Sequence, residues 1–88
     1  MKPDVRAWPG FVAALTPDWT ENDVTRKLMD LVSDDAMAKA IWGCLKTDSI
    51  AWLYRNVPVL DNRRPIDLLA DEDGRDEVKW ALLSSPWW

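Results

Sequence analysis

With 88 residues, a formal net charge of −4 and no histidine, the chain has room for one domain and lacks the commonest general base and metal ligand. Nucleic-acid binding needs a clustered positive surface, and neither half supplies one: residues 1–47 hold six Lys/Arg against seven Asp/Glu, and residues 48–88 hold five against eight. The apolar content of 48% is that of a globular chain, but seven tryptophans are many for this length, because each can bury about 150–250 Å² and a domain this small hides only roughly 60–65% of its unfolded surface.

In chain order, Trp8-Pro9-Gly10-Phe11-Val12-Ala13-Ala14-Leu15 reads as a short helix with Pro9 in its first turn. Thr20 reads as the N-cap of a second helix, with Glu21 and Asp23 at its positive end; Thr16-Pro17 is a competing start. Val24, Leu28, Leu31 and Val32 follow at i, i+4, i+7, i+8, the spacing of one buried face. Ser33 reads as the next cap, backed by Asp34 and Asp35, and Met37, Ala40, Ile41, Cys44 and Leu45 form the apolar side of that helix. Lys46-Thr47-Asp48-Ser49 breaks the chain before a short helix through Ile50, Leu53 and Tyr54. That helix ends near Asn56, because Val57 precedes Pro58 and is driven from helical angles.

Val57 to Asn62 reads as an apolar loop, and Pro65 opens a short helix whose buried side is Ile66, Leu69 and Ala70. Asp71 caps the last helix, with Glu72 and Asp73 in its first turn. Gly74, Val78, Ala81 and Leu82 share the inner face, and Pro86 ends the run. No segment alternates apolar and polar residues for long enough to be a strand. The expected fold is all-α, a compact bundle of four to five short helices forming one structural domain.

Enzymatic chemistry is not expected. Cys44 has no histidine partner to activate it, sits on an apolar helical face, and reads as a core residue; as the single cysteine it also excludes an intrachain disulfide. Asp71-Glu72-Asp73 lacks the spacing of a calcium loop and reads as a solvated cap. No glycine-rich phosphate loop is present, so neither a cofactor nor a metal is expected. No apolar run approaches the roughly 18–20 residues of a membrane span. Nor does an apolar stretch follow Met1-Lys2-Pro3-Asp4, so the expected location is the cytoplasm.

The second half carries an ordered series: Trp52-Leu53, Leu60, Arg63-Arg64-Pro65-Ile66-Asp67-Leu68-Leu69, Gly74, then Val78 and Leu82. This series resembles the toxin-binding domain of Xre/MbcA/ParS-type antitoxins, whose members carry a Trp-Leu pair, a leucine with a turn, Arg-x-Pro-x-Asp-Leu-Leu, an acidic stretch with glycine, and Val-x-x-x-Leu. The resemblance covers roughly residues 36–84. It divides the chain into an N-terminal helical segment, 1–35, and an antitoxin-like toxin-binding domain, 36–88. It implies a protein that binds and silences a RES-type, NAD-degrading toxin, encoded by the adjacent gene, with the C-terminal end reaching the toxin.

Two features depart from the family pattern. A helix-turn-helix region often precedes this domain, whereas the first half here is short and acidic. The ending Ser84-Ser85-Pro86-Trp87-Trp88 also differs from the glycine-containing polar ends of the family.

Most matched residues read as scaffold, Trp52 among them. Arg63 and Arg64 either pair with Asp61 or Asp67 or grasp a partner. On the last helix Trp80 and Leu83 lie opposite Val78 and Leu82, and a helix apolar on two sides is either fully buried or keeps one side for another chain. The candidate partner surface is therefore Trp80, Leu83, Trp87 and Trp88, with Arg63 and Arg64 beside it. Trp87 and Trp88 either join that surface or fold back over the core. A homodimer through the same face is compatible with this reading. The rival reading is a DNA-binding regulator using Arg26 and Lys27 as phosphate contacts, or a structural adaptor subunit.

Overall fold

The computed structural model describes residues 5–84. Helix α1 spans Trp8–Leu15 and starts without a side-chain cap, with proline in its first turn. It leads into a 3-10 turn, Thr16–Asp18, so Thr16-Pro17 begins a separate turn rather than the second helix. That helix, α2, is Asp23–Val32, and its cap is Asn22, not Thr20. The Asn22 side chain accepts from the Thr25 amide at 2.9 Å, and Thr25 Oγ1 accepts from the Asn22 amide at 2.9 Å. This is a reciprocal capping box with threonine in the place usually held by Glu or Gln. Thr25 is fully buried, and its hydroxyl also donates to the Thr20 carbonyl at 2.6 Å.

Helix α3, Asp35–Leu45, is also capped later than expected, by Asp34 rather than Ser33, and Asp34 accepts from the Met37 amide at 3.1 Å. Ser33 instead closes α2 with φ at 55°, the left-handed conformation common at helix C-termini. Helix α3 is the axis of the molecule. It buries Met37, Ala38, Ala40, Ile41 and Trp42, a wider face than the sequence spacing indicates, because α1, α2, α4 and α6 all pack on it. Cys44 and Leu45 are only half-buried at its end.

Lys46 ends α3 at φ 49° and ψ −123°, a strained conformation for a residue with a side chain. It is tied back to the first turn: its ammonium lies 3.4 Å from the Asp18 carboxylate and 5.7 Å from the Trp42 ring centre. The Trp42 indole N–H donates to the Asp18 carbonyl at 2.9 Å. A 3-10 turn, Lys46–Asp48, then feeds α4, Ser49–Leu53. Tyr54 falls just beyond the end of α4 and is exposed.

Beyond α4, the turn Pro58–Leu60 is closed by an isolated antiparallel bridge between Val57 and Arg63. Asp61 and Asn62 both take positive φ, which short polar side chains tolerate. Helix α5 is a single turn, Pro65–Leu68, with Pro65 and Leu68 buried. Ile66 and Leu69 are half-buried and Ala70 is exposed, so the expected inner side of this segment was rotated. Four residues are too few to define a face by periodicity; the side that packs on α4 and α6 decides it.

Helix α6, Glu72–Leu83, is capped by Asp71, whose carboxylate accepts from the Gly74 amide at 2.6 Å. Gly74, Val78, Ala81 and Leu82 are its buried residues, as the spacing predicts. The described residues thus form an all-helical globule with five helices of five residues or more, the α5 turn, and no strand. Its radius of gyration, 11.8 Å, is the about 12 Å of a compact chain of this length.

Two glycines behave oppositely in the first half. Helix α1 approaches α3 at Gly43, where an added Cβ would lie 2.8 Å from Leu15 Cβ. At Gly10, by contrast, an added Cβ meets nothing within 4 Å, and φ is not positive. Gly10→Ala is therefore expected to stabilise the fold by about 0.5–1 kcal/mol through the unfolded chain, raising Tm by about 2–8 °C. Thermal unfolding followed by circular dichroism checks this; a lower Tm would show that Gly10 is needed for packing.

Candidate partner-binding surface

Of the five tryptophans among the described residues, four are wholly or partly inside the molecule. Trp8, Trp42 and Trp52 are buried and Trp19 is half-buried, its indole N–H donating to Glu21 at 3.2 Å. Trp80 is the exception among the described residues, at 38% exposure. It lies on α6 away from Val78 and Leu82, as does Leu83, which is half-buried and touches the edge of the core.

What places Trp80 at an edge is the start of the chain. The Trp8 amide donates to the Val5 carbonyl at 3.0 Å, the Trp8 ring lies 5.8 Å from Phe11, and Lys79 sits 5.7 Å over the Trp8 ring. The Lys79–Trp8 contact joins the first turn of α1 to α6. Between them opens a shallow hollow of about 470 Å³, lined by Arg6, Ala7, Trp80, Leu83 and Ser84. Arg6, Ala7 and Ser84 were not indicated by the sequence, because contacts between the two ends of a chain leave no local pattern. Trp87 and Trp88, the other half of the expected surface, lie outside the described residues.

Arg63 and Arg64 do not line this hollow. Arg63 bridges elements: it donates to Glu77 on α6 at 2.9 Å and to the Leu60 carbonyl at 2.9 Å, with Asp61 at 3.6 Å. Arg64 grips Asp67 through two bonds of 2.9 and 3.0 Å and lies 6.0 Å from the Tyr54 ring centre. Those bonds hold the Asp67 carboxyl below its usual range and the Arg64 guanidinium above its own. Both arginines are thus engaged within the chain. Tyr54, at 47% exposure, is a second exposed aromatic among the described residues, just past the end of α4.

No family model, no curated protein and no solved structure matches this chain.

Burial pushes the Cys44 thiol up to about 11, only partly opposed by Lys46, so at neutral pH it stays protonated and is a poor nucleophile. Among the described residues no three His, Cys, Asp or Glu are gathered as for a metal ion, and no helix is long and apolar enough to cross a membrane. On α2, Arg26 is paired with Asp23 at 3.3 Å. Helix α3 buries five of its eleven residues. The hollow beside Trp80 offers mixed contact, apolar from Ala7, Trp80 and Leu83 and polar from Arg6 and Ser84.

Proposed function

We propose that this chain is an antitoxin-like protein that binds and neutralises a partner toxin, of the RES-type, NAD-degrading class by resemblance, encoded by the adjacent gene and acting in the cytoplasm. The observation that carries the reading is that the ordered series behind the resemblance folds as one packed unit. Trp52, Leu53, Leu60, Pro65, Leu68, Gly74, Val78 and Leu82 are all buried, and α5 packs on both α4 and α6. The Arg63–Glu77 bridge ties the loop before Pro65 to α6. Such a unit spends most of the matched residues on shape and leaves its rim to a partner.

The rim that suits a partner best is Trp80 with Leu83. An exposed tryptophan is among the residue types most enriched at interface hot spots. Trp80→Ala is expected to weaken the complex with the neighbouring gene product by at least about 2 kcal/mol, roughly thirtyfold in Kd, while the domain remains folded. Tyr54→Ala, on the other exposed aromatic, is expected to change Kd less than threefold, well under the about 1.4 kcal/mol of a tenfold change. Calorimetric titration of the three proteins reads this directly. Equal affinities for wild type and Trp80→Ala would remove Trp80 from the interface. A concentration-dependent dimer of this chain alone, lost in Trp80→Ala, would assign the face to a second copy instead.

A further inference from the structure

We draw no further inference here: the strongest candidate beyond the Trp80 hollow, the uncharged outer face of α1 at Gly10, Ala13 and Ala14, is a stripe of small residues, and nothing in the structure shows what covers it.

Discussion

Trp52→Ala is expected to lower stability by about 3–5 kcal/mol, the range for truncating a fully buried tryptophan. Against the about 4–13 kcal/mol available to a chain of this length, that removes between roughly a quarter and all of its stability. The reason is position as well as size. Trp52 is 0% exposed and stands on α4, the helix that packs on α2, α3 and α5. A cavity there would separate the N-terminal helices from the C-terminal unit. The Trp52 indole N–H has no hydrogen-bond partner among the described residues, so the side chain contributes volume rather than a polar bond. Trp52→Phe removes that unpaired group along with part of the ring and is expected to cost less than half as much. Urea unfolding of the three proteins tests the pair. An alanine variant within about 1 kcal/mol of wild type would contradict a core role, since surface substitutions are the ones that stay so small.

Gly74→Ala is expected to cost about 3 kcal/mol or more, at or beyond the upper end of overpacking effects. A Cβ on Gly74 would collide with the Leu68 carbonyl oxygen and stand 2.8 Å from the Leu68 carbonyl carbon. Both atoms are backbone at the end of α5, so no side-chain rotation relieves the clash. The same displacement would disturb the Asp71 cap, whose carboxylate lies 3.0 Å from the added atom. Alanine's better helix propensity, about 1 kcal/mol, offsets only part of this. The contrast with Gly10→Ala is the sharper test, because one substitution in two helices of one protein is expected to move Tm in opposite directions. Equal shifts would mean that α5 does not meet α6 as described.

Much of this architecture was legible where apolar spacing and a single clear cap agreed. Pro9 at the start of α1, Asp71 at the start of α6, and the buried set Gly74, Val78, Ala81 and Leu82 all follow from the residues alone. The two misplaced caps share a cause. Thr20-Glu21-Asn22-Asp23 and Ser33-Asp34-Asp35 each offer several residues able to cap, and local preference cannot choose among them. The choice fell to Asn22 because Thr25 returns its hydrogen bond while buried, and to Asp34 because Ser33 is needed in the left-handed conformation that closes α2. At the candidate site, the periodicity that puts Trp80 off the inner face was readable. The hollow beside it was not, since Arg6 and Ala7 reach α6 only through the tertiary packing of Trp8 under Lys79. Arg63 and Arg64 illustrate the converse: their sequence neighbours Asp61 and Asp67 hinted at pairing, whereas the Glu77 contact needed the fold.

The most direct test of the proposed function is the NAD content of cells expressing the adjacent gene, with and without this chain. NAD is expected to fall when the neighbour is expressed alone and to return to the control level when both are present, with the two proteins co-eluting in size-exclusion chromatography. NAD that falls equally in both cases, or that never falls, would contradict the antitoxin reading.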